Sequence, residues 1–331
     1  MTVTASAPTR VDLAGGTIDI WPLYLFHPGA QTLNAALSIR TWARLESRDD
    51  DAVVLASDDL GVSTPPLAFD ALPGDTTLPL LAKLAHAFGA RGLTVTTRSD
   101  SPAGAGIAGS SALNIAVTAA LSAWTSRGLD DDGILRVAQN VEAQVIGVPT
   151  GLQDYRPALY GGIAAVEMGP FGATRRPLTV AAEALSARLV LCYTGAPRQS
   201  GINNWEITKR RIDGDAAVTT AFSAIVDATS RMRAALEAGD WVGAGACLAE
   251  EWTTRKQLAP GVTTPTIDAL LDAARAAGAW GGKVCGAGGG GCVFALAPPE
   301  RTRPIRAAWR AAGARVLDAT IDTKGLQVTT S

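Results

Sequence analysis

Three glycine-bearing segments, in fixed order and far apart, limit what this chain can fold into. The first is Ala7-Pro8-Thr9-Arg10-Val11-Asp12-Leu13-Ala14-Gly15-Gly16-Thr17-Ile18-Asp19. The second is Ser101-Pro102-Ala103-Gly104-Ala105-Gly106-Ile107-Ala108-Gly109-Ser110-Ser111-Ala112. The third, near the other end, is Lys283-Val284-Cys285-Gly286-Ala287-Gly288-Gly289-Gly290-Gly291-Cys292. A glycine-rich loop that runs into Ser-Ser and then an apolar helical stretch suits phosphate. Glycine lets backbone N–H groups close on the oxygens, and the helix N-terminus adds partial positive charge. A tight turn with no ligand is the alternative for the second segment, and a mobile loop is the alternative for the third.

The chain has 331 residues, 47% of them hydrophobic, which is more than one core usually takes, so two domains are expected. The reading divides them at residues 1–185 and 186–331. A formal net charge of -2 lacks the basic excess of a nucleic-acid binder. No apolar run approaches the ~20 residues that span a bilayer. No basic start and apolar h-region of a secretory signal is visible, so a cytoplasmic protein is expected. Cys192, Cys247, Cys285 and Cys292 do not follow zinc-ligand spacing, and reduced thiols are expected. Two histidines, His27 and His86, are too few for a histidine-based metal site.

Local patterns place the segments on elements. Leu93 to Arg98 is rich in β-branched residues and reads as a strand feeding the second glycine loop. Ser110 to Trp124 reads as a buried helix, and Asp131 to Ile146 as a helix ended by Gly147 and Pro149. Arg188 to Tyr193 is a strand opening the second half. Residues 203 to about 258 are helical, with breaks near Gly214 and Gly239. Pro265 starts a helix, Cys292 to Leu296 is a strand, Pro304 to Ala312 a helix, and Ala314 to Leu317 a strand.

The second segment is not a Walker A loop, because no Gly-Lys-Ser/Thr closes it. A dinucleotide fold needs an acid at the end of a next strand, where this chain is helical. Glu142, late on a helix, and Asp154, after a Pro/Gly-rich turn, are candidates for metal binding and for accepting a hydroxyl proton. Their bland readings are a solvated helix residue and a turn residue. Arg10 and Asp19 flank the first Gly-Gly turn. Arg10 suits a carboxylate or phosphate, or else a surface ion pair.

Taken together over nearly the whole chain, the segments resemble the GHMP kinase superfamily. The second is similar to its Pro-x-x-x-Gly-Leu-Gly-Ser-Ser-Ala signature, and the third to its Gly-Ala-Gly-Gly-Gly-Gly loop. Ala14-Gly15-Gly16-Thr17-Ile18-Asp19 is similar to the sugar-kinase branch, which includes heptose 7-phosphate kinases and fucokinase-like enzymes. So are Gly147-x-Pro149-x-Gly151-x-Gln153-Asp154 and Thr194-Gly195-x-x-Arg198. Mevalonate and galactose kinases carry Gly-Glu-His where this chain has neither residue.

The resemblance implies an α+β fold of two domains, ribosomal protein S5 domain 2-like and then ferredoxin-like, with ligands in the cleft between them. It implies an ATP- and Mg²⁺-dependent transfer to a hydroxyl of a sugar or sugar phosphate, the anomeric one included. Asp154 matches the catalytic aspartate and Arg10 its partner. Pro102, Gly104, Gly106, Gly109, Ser110 and Ser111 match the ATP loop. Ser111 and Glu142 match the metal ligands, with Ser110 the alternative serine. Gly16, Asp19, Gly288 and Gly289 match substrate contacts. A non-sugar kinase, a decarboxylase and a silent ligand sensor of the same superfamily are the alternatives, and a homodimer stays open. Two departures stand out. The Gly106-Ile107-Ala108-Gly109-Ser110-Ser111 stretch is one residue longer than usual. The stretch Ser200-Gly201-Ile202-Asn203-Asn204-Trp205-Glu206 fits no family pattern and reads as a helix cap or a substrate wall. Arg198, Lys209, Arg210 and Arg211 are candidates for a substrate phosphate, or a solvated helix face.

Overall fold

The computed structural model describes residues 1–198 and 204–331. The expected cap at Asn203, and residues 200–202 of the same stretch, lie outside them.

The chain opens on two long paired strands, β1 (Thr2–Ala14) and β2 (Gln31–Ser47). They anchor a sheet completed by β3 (Val53–Ser57), β4 (Val62–Ser63), β5 (Leu93–Ser99), β6 (Ile163–Gly169) and β7 (Gly172–Pro177). β2 is long enough to pair with two strands in succession: Gln31 to Ala35 face β6, and Thr41 to Ser47 face β5. Four helices belong to this half: α1 (Pro79–Phe88), α2 (Gly109–Trp124), α3 (Asp131–Ile146) and α4 (Tyr155–Tyr160). Their buried faces share one core with the strands, through Leu45, Val95, Leu84, Ile115, Val141 and Tyr155.

After the short α5 (Ala182–Ser186) come β8 (Leu189–Tyr193), β9 (Gly281–Val284), β10 (Cys292–Leu296) and β11 (Arg315–Leu317). They form an antiparallel sheet in the order β11-β8-β10-β9. Helix α6 (Asn204–Ile212) packs on α7 (Ala216–Glu237), which covers the sheet together with α8 (Trp241–Arg255), α9 (Pro265–Ala276) and α10 (Pro299–Ala311). Strand alternation divides its side chains. Val190, Cys192, Val293 and Ala295 meet α9 and α10, where the Trp309 indole donates to the Leu270 carbonyl at 2.7 Å. Leu189, Leu191, Phe294 and Leu296 meet α7 and α8, and their core continues into Leu33 and Leu37 of β2. One apolar cluster therefore joins the two halves. The last strand, β12 (Gln327–Thr330), returns to pair with β1.

The fold is the expected α+β arrangement. The main boundary that differs from the sequence reading is the start of the last helix. The last helix starts at Pro299 rather than Pro304, because Pro299 itself takes the first helical position, where the missing N–H is harmless. Pro304 is carried inside the helix. β1 and β2, at 13 and 17 residues, are long, while the other strands of this half are short.

The glycine segments interlock. Ala105 accepts from the Cys292 amide at 2.7 Å, and Gly104 accepts from the Arg198 amide at 2.9 Å. Gly291, at φ +79°, passes so close that a Cβ there would lie 2.7 Å from the Ala105 carbonyl oxygen. Gly291→Ala meets both a left-handed backbone and that clash, so it is expected to lower stability by roughly 2 kcal/mol or more, read as a lower denaturant midpoint.

Candidate active site

Arg10 stands where β1 changes register against β2, between Pro8 and Thr9 and again after Asp12. Such irregularities re-aim side chains. The Arg10 amide donates to the Ile107 carbonyl at 2.9 Å and its guanidinium to the Gly106 carbonyl at 2.9 Å, so β1 holds the second glycine loop directly. The same guanidinium forks onto one oxygen of Asp154: Nε to Oδ1 at 3.0 Å and Nη2 to Oδ1 at 2.6 Å. Burial opposes its charge. Asp154 and Asp12, with Nη1 at 3.6 Å from Asp12 Oδ1, outweigh that and raise its pKa. Asp154 Oδ2 is left free of Arg10, and the side chain remains about a third exposed.

Asp19 faces the same pocket, which Thr17, Ile20, Gly151, Gln153, Arg198, Asn204, Gly286 and Ala287 also line. Its Oδ2 accepts from the Gln153 amide at 2.9 Å. A Cβ at Gly151 would overlap this carboxylate, so glycine is needed there for the contact to form. Burial, and then the charge of Asp154, push the Asp19 pKa up to about 6, against the Gln153 hydrogen bond.

α2 begins at Gly109 with no side chain capping it, and Ala108 before it is left-handed at φ 60°. That end of the helix therefore presents its first-turn amides toward the loop of Pro102 to Ala108. The hydroxyls of Ser110 and Ser111 both donate to Glu142 Oε1, at 3.1 and 3.2 Å. Glu142 Oε2 is buried with no hydrogen-bond partner. Burial raises its pKa. The Tyr155 hydroxyl lies close enough to favour the charged form but outside hydrogen-bond geometry.

Beneath the pocket lies a cluster that sequence reasoning missed. Lys283 Nζ donates to Asp12 Oδ2 at 2.9 Å and to Glu251 Oε1 at 3.2 Å. Arg255 Nε donates to Glu251 Oε1 at 2.9 Å, and its Nη2 also pairs with that oxygen. Asp12 Oδ1 accepts from the Gly286 amide at 2.9 Å. All four side chains are buried. Burial disfavours the charges of Asp12 and Glu251, yet the neighbouring cations hold both pKa values below the usual range. A signal was present: Asp12 sits between Val11 and Leu13 in a strand, and Glu251 and Arg255 are four apart on one helix.

The structure brings Arg10, Asp19 and Asp154 to one pocket; Gly16 does not line it and instead packs against Asp12, Gln153 and Arg255. It sets Glu142 against Ser110 and Ser111 at the start of α2. It does not bring Gly288 and Gly289 to the pocket wall: they lie against Val262, whose carbonyl accepts from the Gly289 amide at 3.0 Å, and Gly286 and Ala287 line the pocket instead. Of the basic residues, Arg210 pairs with Asp215 and the Leu258 carbonyl, and Arg211 with His27 and the Phe26 ring. Only Arg198 among those four lines the pocket.

A glycine-rich loop opening a helix, with a carboxylate–guanidinium pair held against it, is the arrangement that suits a small-molecule phosphotransferase. The family description "GHMP kinases N terminal domain" matches residues 76–162, and "GHMP kinases C terminal" matches residues 232–315, together just over half of the chain. The chain belongs to the GHMP kinases. It is 28% identical to the D-glycero-alpha-D-manno-heptose 7-phosphate kinase of Campylobacter jejuni, covering 98% of both chains. It is 29% identical to the galactokinase of Mycobacterium bovis, covering 92% of each. The crystal structure of a D-glycero-D-manno-heptose 1-phosphate kinase from Bacteroides thetaiotaomicron superposes with a TM-score of 0.79 at 23% identity, covering 99% of both chains, and shows the shared fold.

The Asp19 shift has a consequence for stability. In the unfolded chain its carboxyl ionises near 3.8, and in the folded protein near 6. The folded state holds the proton more tightly, so ionisation costs stability as pH rises between those values. Asp19→Asn removes that cost. Relative to wild type it is expected to gain roughly 2 kcal/mol between pH 4 and pH 7, measured by denaturant melts at both.

Proposed function

We propose that this protein is an ATP-dependent kinase that transfers the γ-phosphoryl group to a hydroxyl of a sugar or sugar phosphate, with Mg²⁺ as cofactor. The observation that carries the reading is the Arg10–Asp154 pair, set between the Gly15-Gly16-Thr17 turn and the glycine loop that opens α2. Relatives matched along nearly their whole length, named as heptose phosphate kinase and galactokinase, support the sugar class.

In this reading Arg10 fixes Asp154 through Oδ1, which leaves Oδ2 for the acceptor hydroxyl. As the hydroxyl oxygen bonds to the γ-phosphorus, its proton passes to Oδ2. The bond from that phosphorus to the β,γ-bridging oxygen breaks, and ADP leaves with the electron pair. The amides of Gly104 to Ser111 wrap the nucleotide phosphates. Asp19 accepts from hydroxyls of the sugar, a role open to it once pH exceeds about 6. Positioning and charge neutralisation account for most of such a reaction.

The residues present fit Mg²⁺. The buried Glu142 Oε2 has no partner in hydrogen-bond geometry, two serine hydroxyls adjoin the same carboxylate, and Mg²⁺ is commonly held by one or two oxygen ligands plus substrate phosphates. Glu142 with Ser111, or Ser110, would hold it. When bound, the ion neutralises charge developing on the phosphates.

The test is ADP release from Mg-ATP across hexoses, heptoses, their phosphates and 1-deoxy analogues, with mevalonate and homoserine as non-sugar controls. A sugar-dependent signal is expected, and activity confined to mevalonate or homoserine would overturn the sugar reading. Asp154→Asn should lower kcat at least about 100-fold while ATP still binds. Glu142→Gln should raise the Mg²⁺ concentration for half-maximal activity by about tenfold, read by titrating the metal at saturating ATP.

A further inference from the structure

The turn that carries Asp19 into the pocket is strained. Thr17 is β-branched, yet it sits at φ 73°, in the left-handed region that such residues avoid. Gly15 beside it, at φ 81°, is wedged so that a Cβ would overlap the Gln31 carbonyl. A conformation of this kind persists only where its surroundings over-determine it.

The restraint comes from the other half of the chain. Arg255, at the end of α8, donates through Nη2 to the Gly16 carbonyl at 2.8 Å and through Nη1 to the Thr17 hydroxyl at 3.2 Å. Its Nε and Nη2 also pair with Glu251, which Lys283 holds in turn. Gly16 leaves no room for drift, because a Cβ there would already lie 2.9 Å from Asp12 Oδ2, 3.2 Å from Gln153 Nε2 and 3.3 Å from Arg255 Nη2. The planar fork of an arginine reaches two adjacent acceptors at once, whereas a lysine offers one ammonium.

We propose that Arg255 is a positioning residue for the sugar: it clamps the strained Gly16–Thr17 turn from the C-terminal half and thereby sets Asp19 in the acceptor pocket. Arg255 touches neither reactant in this account and acts through the turn. The proposal rests on the reading that this pocket takes the acceptor.

Arg255→Lys keeps the charge that Glu251 requires but loses the fork. The variant is expected to raise the acceptor KM about tenfold while the ATP KM stays within about twofold, a split that general loosening would not produce. Thr17→Asn relieves the backbone strain, since Asn tolerates the left-handed region. Added to Arg255→Lys, it should bring the acceptor KM back by about threefold or more. An acceptor KM unchanged in Arg255→Lys, an equal rise in both KM values, or no rescue by Thr17→Asn would each overturn the clamp. If wild type phosphorylates no sugar, the functional reading fails while the clamp is still decided by hydrogen exchange over residues 15–20. Faster exchange there in Arg255→Lys, slowed again in the double variant, supports it, and exchange unchanged from wild type rejects it.

Discussion

A lattice of charge, buried except for the Asp154 carboxylate, joins the two halves of this protein at and beneath its pocket. Three acids (Asp12, Glu251 and Asp154) meet three bases (Arg10, Lys283 and Arg255), and each base bridges segments far apart in sequence. Taking such charges out of water is expensive, and the pairing offsets that cost only while every partner is present. Removing one member typically costs about 3–5 kcal/mol, because an uncompensated charge stays inside. The lattice is therefore better understood as a fixing device than as a source of net stability. It allows few alternative arrangements of β1, α8 and β9, and the three glycine segments hang from those elements.

The glycine segments depend on that fixing. Their backbones approach so closely that hydrogen bonds run directly between them: Cys292 to Ala105 and Arg10 to Ile107. The apolar cluster that runs from Leu33 and Leu37 through Phe294 to Leu248 supplies the non-directional part of the same union. Directional contacts then set the register in which the apolar faces meet. The pocket is accordingly a product of both halves, with Asp19 and Asp154 from the first and Arg198, Asn204, Gly286 and Ala287 from the second.

Much of the site was legible in the residues because its chemistry is local. A phosphate loop must carry glycines at short spacing, and a helix must follow it, so Gly104 to Ser111 stood out. The placement of Arg10, Asp19 and Asp154 came from resemblance, since single charged residues carry no local mark of burial. Lys283 and Asp12 lay inside the segments that drew attention and were still passed over. A lone lysine in a strand reads as surface until its partners are known. The basic run Lys209-Arg210-Arg211 was ambiguous for the same reason, and the fold directs two of its members to Asp215 and His27 rather than to the pocket.

Periodicity and turn chemistry determined the element types, including the helices from Asp131 and Pro265 and the strands around residues 93 and 292, because these depend on neighbours a few positions apart. The glycine segments and their order determined the family. Tertiary structure alone decided that Lys283 faces Asp12 across the full length of the chain, and that Arg255 reaches Gly16 and Thr17. It also decided that Gly286 and Ala287, not Gly288 and Gly289, meet the pocket. Those outcomes follow from which surfaces close on each other and from the need of every buried charge for a partner, and neither condition is written in any local stretch of residues.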